Sequence, residues 1–450
     1  MRRIWNYSSV NIIIMKRVCI VILTVLSAFS ANAQVLKKLQ KKVERKVEQR
    51  VERKTDRAID KGLDKVEEEI DGTAKKSGSK SSPAPGGKGT GINDAGAPAA
   101  GKVFSAQSKY DFVPGEKVIA LEDFSQDAVG DFPGKWNTDA SGEIVQLGGS
   151  GQHWLALTSK GAVTPEFINS IPENATIEFD LAVSPDYSYY DAPLFVSIAQ
   201  SEGKNGFTAW QHFGRGRKTG TYFTLHPVDA GNKHNAGRTE IQVWENGKKI
   251  MENKRSESPG FSRSEHTVHV SVWRQQQRLR VYVGEHKIWD LPRAFVANGK
   301  YNSLVFSKHN SKDGNHYYIT NIRLAAGDPD TRHKLLNEGK FSTTGIYFNS
   351  GSAVIKPESH GVIKEIAEVL KENGSLKVRI TGHTDSDGGS DQNMKLSAQR
   401  AAAVKAYLAR QFGIAAARME TDGKGAAAPV ADNATAEGKA QNRRVEFTRL

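Results

Sequence analysis

TGHTDSDG at residues 381–388, LSAQRAAAVKAYL at 396–408 and EGKAQNRRVEF at 437–447 follow one another near the end of the 450-residue chain. Just upstream, LKVRITG (376–382) places Leu376, Val378 and Ile380 on one face of a strand. Before that, GIYFNS (345–350) reads as a short apolar strand. Pro357 opens an amphipathic helix through Ile363, Ile366, Val369 and Leu370, ended by Gly374. Downstream, Ser397 begins a helix that turns Ala401, Val404, Leu408 and Phe412 inward and stops at Gly413. A strand over 418–423, a loop holding Pro429, a short helix from Thr435 and a last strand RRVEFTR complete the series. Alternation of strand and helix over residues 331–450 predicts a compact α/β domain with a βαβαβ mixed sheet.

Working towards the N-terminus, residues 103–327 change period. TIEFDLAV, PLFVSIAQ, TYFTLHP, TEIQVWENGKKI, HTVHVSVW, RLRVYVGEHKIWDL, SLVFSKHN and HYYITNIRL are short alternating runs parted by turns, the pattern of an antiparallel sandwich. Residues 72–102, rich in Gly, Pro and Ser, bury too little apolar surface to fold and read as a flexible linker. Residues 34–71 carry apolar side chains three or four apart from Leu36 to Ile70, predicting a long amphipathic helix that needs a partner along its narrow stripe, a coiled coil or homo-oligomer included. Its basic first half and acidic second half oppose the helix dipole. In residues 1–33, Lys16 and Arg17 precede VCIVILTVLSAF and an Ala31-Asn32-Ala33 cleavage pattern, which reads as an export signal. The whole is a multidomain chain: long helix and flexible linker, all-β sandwich, C-terminal α/β domain.

The three motifs quoted first, with Asn393 between them, resemble the OmpA-like peptidoglycan-binding domain, and the match covers nearly all of 331–450. The sandwich pattern resembles the concanavalin-like jelly roll of lectins, laminin-G domains and some glucanases. In the OmpA-like family the Asp after Gly-x-Thr and the Arg three residues past the helix-opening Ser hold meso-diaminopimelate in the wall's stem peptide, which implies Asp385 and Arg400 here. Thr384, Asn393 and Arg443 are implied in support, and Phe348 and Asn349 as the groove's border. Many members have an acid where this chain has Asn349.

The residue types suit that chemistry. The free end of diaminopimelate carries an ammonium and a carboxylate on one carbon, so its receptor needs an acid and a bidentate base close together, and a guanidinium fits a planar carboxylate better than an ammonium does. In Asn442-Arg443-Arg444, one arginine suits the ligand and the other the fold.

The remaining chain sets limits. With one cysteine, Cys19, there is no intrachain disulfide and no cysteine metal site. The net charge is +13, and removing the four basic residues of 1–33 leaves about +9, which favours polyanions. Export makes peptidoglycan, and the outer membrane or its proteins, the fitting partners rather than nucleic acid, and places the protein in the periplasm. The reading calls for no cofactor. As glucanases of the jelly-roll fold use E-x-D-x-x-E, Glu178 and Asp180 lack the last acid, which is Val183. They read instead as the solvated face of a half-buried strand, and His266 and His269 as opposite faces of another. Tyr187, Tyr189, Tyr190 and Trp210, with His212, are the candidates for stacking on a carbohydrate, against core packing. The alternative to a non-catalytic wall binder is a carbohydrate-active enzyme or lectin built on the sandwich.

Overall fold

The computed structural model describes residues 110–149, 151–211, 214–228, 236–262, 266–310, 314–327 and 330–450. The signal, long helix and linker expected within 1–102, and His212, lie outside them. The described residues belong to one compact unit, Val103–Leu450.

Fifteen strands build its first part: β1 (Lys117–Glu122), β2 (Trp136–Thr138), β3 (Gly142–Gln146), β4 (His153–Leu157), β5 (Gly161–Pro165), β6 (Asn174–Val183), β7 (Leu194–Ala199), β8 (Gly220–Leu225), β9 (Gly237–Glu245), β10 (Lys248–Ser258), β11 (Thr267–Gln275), β12 (Arg278–Val283), β13 (His286–Leu291), β14 (Ser303–Lys308) and β15 (Tyr317–Ala326). They form two antiparallel sheets, β13-β12-β11-β6-β15-β4-β3, with β1 on β15, and β10-β9-β8-β7-β14-β5-β2. Alternation decides what faces inward: Ile177, Phe179 and Leu181 of β6 meet Val196, Ile198 and Phe223 of the other sheet in one core. Phe179 packs edge-on to Phe306 at 5.1 Å between ring centres. TEIQVWENGKKI is not one strand but the hairpin β9–β10, because Asn246 and Gly247 take φ of 48° and 80°, the two positive angles of a type I′ turn.

The C-terminal part contains β16 (Lys340–Thr343), α1 (His360–Glu372), β17 (Val378–Gly382), α2 (Ser390–Phe412), β18 (Met419–Gly423), α3 (Ala436–Asn442) and β19 (Val445–Arg449). Their sheet runs β16-β19-β17-β18, with β17 and β18 parallel and the other pairs antiparallel. Two boundaries differ from the sequence reading. GIYFNS is not a sheet strand; the edge strand is Lys340–Thr343, and Tyr347 spends its N–H on Ser359 Oγ and its carbonyl on the Lys356 N–H. The second helix begins at Ser390, seven residues before Ser397, because Gly389 takes an extended cap conformation and the polar run SDQNMK winds without an apolar stripe to announce it.

Ser397 marks where α2 crosses the sheet. A Cβ on Gly382 would lie 2.2 Å from the Ser397 carbonyl oxygen, and one on Gly423 2.5 Å from the Ala398 nitrogen, so only glycine lets the strand ends approach this closely.

The sandwich and the α/β part share a second core. Tyr110, Phe112, Trp273 and Tyr282 pack with Val362 and Ile366 of α1. A Cβ on Gly361 would meet the Phe112 carbonyl oxygen at 2.1 Å. Gln441 on α3 accepts from the Val118 N–H and donates to the Glu116 carbonyl, both at 2.9 Å, satisfying the free edge of β1.

Candidate functional site

Asp385 lies three residues beyond β17, and its loop is braced from within. The Thr384 hydroxyl donates to the Asp385 carbonyl at 2.8 Å, and Asn393 donates to the carbonyls of Asp387 (2.8 Å) and Asp385 (3.4 Å). Thr384 and Asn393 are both buried. The Asp385 carboxylate is 8% exposed at the residue level; Oδ2 accepts from Arg443 Nη1 at 2.6 Å and Oδ1 from the Asp387 N–H at 3.1 Å.

Arg400 lies about three turns into α2, not in its first turn, since the helix starts early. Its Nε donates to the Ser352 carbonyl at 3.0 Å and its guanidinium stacks over the Phe348 ring at 4.9 Å. Burial lowers its pKa; the charge of Arg443 adds to that and the charge of Asp385 opposes it. The three groups thus sense one another within one region, while Arg400 and Asp385 make no direct ion pair. Asn349 is exposed beside Phe348.

The two adjacent arginines divide as their surroundings dictate. Arg444 is buried, with Nε and Nη2 on Glu446 at 2.9 and 2.8 Å and further bonds to the Ala428 and Asn442 carbonyls. Arg443 keeps 43% of its side chain exposed. Two guanidiniums around one carboxylate leave an excess positive charge to receive a ligand carboxylate, with Asp385 to face an ammonium.

Arg400, Arg443 and Phe348 also line a cavity of about 230 Å³ whose other side is the sandwich. This overturns the expectation that Glu178 and Asp180 face solvent: the C-terminal part covers that face of β6. Strand register sets Asp180 opposite His269 on β11, and Glu178 opposite Arg323 on β15. Glu178, 1% exposed, accepts from Arg323 Nη1 at 2.6 Å and from the Tyr347 hydroxyl at 2.7 Å. His269 Nδ1 lies 2.7 Å from Asp180 Oδ1, and Asn321 donates to Asp180 Oδ2 at 2.6 Å. Burial opposes charge on His269, yet the hydrogen bonds to Asp180 and Glu178 raise its pKa to about 10. Burial likewise opposes charge on Glu178, but Arg323 and His269 hold it below the usual carboxylate range. Asp180 is lowered too, His269 outweighing its burial. A general acid for glycosidic cleavage has its pKa raised, whereas both carboxyls of this pair are lowered.

Sequence reasoning missed this half of the cavity. The signal was present as Glu178 and Asp180 on β6, but nothing local says that a distant domain covers them. Of the proposed sugar-stacking aromatics, Tyr187 and Trp210 are core, each 1% exposed, while Tyr190 is 92% exposed against Tyr189, over which Arg238 stacks at 4.5 Å. Among the described residues there is no cluster of metal-ligating side chains and no helix long and apolar enough to cross a membrane.

These elements define a small α/β domain joined to a β-sandwich, and residues 347–443 match the OmpA family. Over 103 residues, 23% of this chain and 47% of the relative, the sequence is 50% identical to the probable lipoprotein YiaD of Escherichia coli (strain K12). Over 102 residues it is 41% identical to the peptidoglycan-binding protein ArfA of Mycobacterium bovis, covering 23% of this chain and 31% of that one. The chain thus spans less than half the length of either relative. A solved structure, the peptidoglycan-associated lipoprotein from Burkholderia pseudomallei, is 30% identical over 24% of this chain and 89% of its own, with a TM-score of 0.22.

Proposed function

We propose that the protein is a non-catalytic, exported envelope protein that binds peptidoglycan through its C-terminal domain and so ties the wall to the outer membrane or to a surface module. The ligand is the zwitterionic end of diaminopimelate in the stem peptide. Arg400 takes its carboxylate, flattened on Phe348 and aimed by the Ser352 carbonyl; Asp385 takes its ammonium; Arg443 closes over both. Thr384 and Asn393 hold the Asp385 loop, and Asn349 borders the groove. Relatives named for peptidoglycan binding and peptidoglycan association support the reading.

The observation that carries it is the Asp385–Arg443 ion pair with Arg400 beside it, one carboxylate among two guanidiniums in an otherwise braced loop. Cosedimentation of the full chain with diaminopimelate-type sacculi tests it. Asp385→Ala and Arg400→Ala each abolish cosedimentation while the folded state persists; retention by both variants would refute the site.

A further inference from the structure

The interdomain cavity holds polar groups that the fold leaves unsatisfied. His383 is 4% exposed and lines the cavity, yet neither ring nitrogen has a hydrogen-bond partner; its nearest acid, Glu446, stands 3.7 Å away. Glu358 also lines the cavity, and its Oε2 is buried without a partner. An unmade hydrogen bond at a buried polar atom costs about 1–3 kcal/mol, so these atoms call for a guest. An imidazole N–H donates and the glutamate offers acceptors, which together match the C=O and N–H of a peptide unit.

The charges narrow the guest further. Arg400, Arg443 and the exposed Lys356 stand on the C-terminal side and call for a carboxylate. Glu178, Asp180 and Glu358 stand against a phosphate. Arg443 already has Asp385, but a neutral sugar would leave Arg400 and Lys356 without a counter-ion. The volume, about 230 Å³, falls just below the ~300–1,000 Å³ of drug-sized sites, which suits a short peptide segment.

We infer that the sandwich supplies the second wall of the ligand groove. A short peptide segment directs a carboxylate towards Arg400 and Arg443 and its backbone groups towards His383 and Glu358, with Asp180, His269 and Asn321 along its far side. This rests on Arg400 being the carboxylate receptor proposed above, and it deepens that reading: Asp180, His269 and Asn321 of the sandwich, outside the C-terminal domain, take part in holding the stem peptide.

Calorimetric titration of the full chain with two probes, free meso-diaminopimelate and the tripeptide L-Ala-γ-D-Glu-meso-diaminopimelate, tests it. The tripeptide binds more tightly than the free amino acid, and Asp180→Asn and Glu358→Gln each weaken the tripeptide about tenfold, close to 1.4 kcal/mol, leaving free diaminopimelate unchanged. Equal affinity for the two probes, with tripeptide binding indifferent to both variants, overturns the inference and leaves the cavity to ordered water. Arg400→Ala weakens both probes; if it weakens neither, the underlying receptor assignment has failed instead. Should a variant melt early, the unmutated chain still decides. The ring resonances of His269 and His383 shift with bound tripeptide and not with free diaminopimelate, and an unmoved His269 in the tripeptide complex overturns the inference.

Discussion

Replacing Arg323 with Met removes the guanidinium from a nearly sealed carboxylate. Arg323 is 6% and Glu178 1% exposed, and the arginine also donates to Thr344 Oγ1 at 2.7 Å and to the Gly115 carbonyl, so three acceptors lose a donor at once. Breaking a buried pair by removing one partner costs about 3–5 kcal/mol, because the remaining charge is stranded. A unit of this size has an unfolding entropy near 0.7 kcal/mol per degree, so Tm falls by about 4–7 °C. Glu178→Gln in the same chain removes the stranded charge while keeping an acceptor for the Tyr347 hydroxyl, and therefore recovers part of the loss. The assay is a calorimetric melt of wild type, both single variants and the double. A Tm for Arg323→Met within about 1 °C of wild type, or strictly additive effects, would refute the sealed pair.

Further consequences concern pH, packing and surface. His269 has its pKa raised to about 10, so its contribution is complete below the ordinary value of 6.5 and drains away as pH rises towards 10. Glu178 and Asp180 have lowered values, so their share is complete above the usual carboxylate range and is lost as pH falls through those values. Melts taken between pH 7 and 9 show Tm declining in wild type and a flatter profile in His269→Gln. Gly382→Ala drives a methyl against the Ser397 carbonyl, costing about 1–3 kcal/mol and displacing α2; denaturant unfolding shows the loss, and sacculus binding weakens because Arg400 rides on that helix. Tyr190→Ala changes neither Tm nor sacculus binding, since the ring is 92% exposed and does not line the cavity.

Much of this was written in local pattern. Strands such as β6 and β15 show period-two alternation because one face meets a core; α1 shows its apolar stripe for the same reason. The start of α2 was hidden because its first turns are polar and exposed, so no hydrophobic period marks them. GIYFNS looked like a strand on apolar content alone, while its backbone partners, Ser359 and Lys356, lie outside it. Asp385, Arg400 and Arg443 could be named from motif, but the pairing of Asp385 with Arg443 rather than Arg400 could not. The cavity wall was least legible. Glu178, Asp180, His269 and Arg323 alternate outward like any solvated face, and only the C-terminal part, with Tyr347 on Glu178 and Thr344 on Arg323, turns that face inward.

Binding of L-Ala-γ-D-Glu-meso-diaminopimelate compared with its carboxamide, amidated at the carboxylate that shares a carbon with the free amine, puts the proposed role of Arg400 to direct trial. Loss of a charge-assisted contact of ~1.5–3 kcal/mol weakens the carboxamide at least about tenfold in the wild-type chain, and Arg400→Ala erases the difference between the two. Equal affinities in the wild-type chain would mean that the guanidinium on Phe348 does not receive that carboxylate.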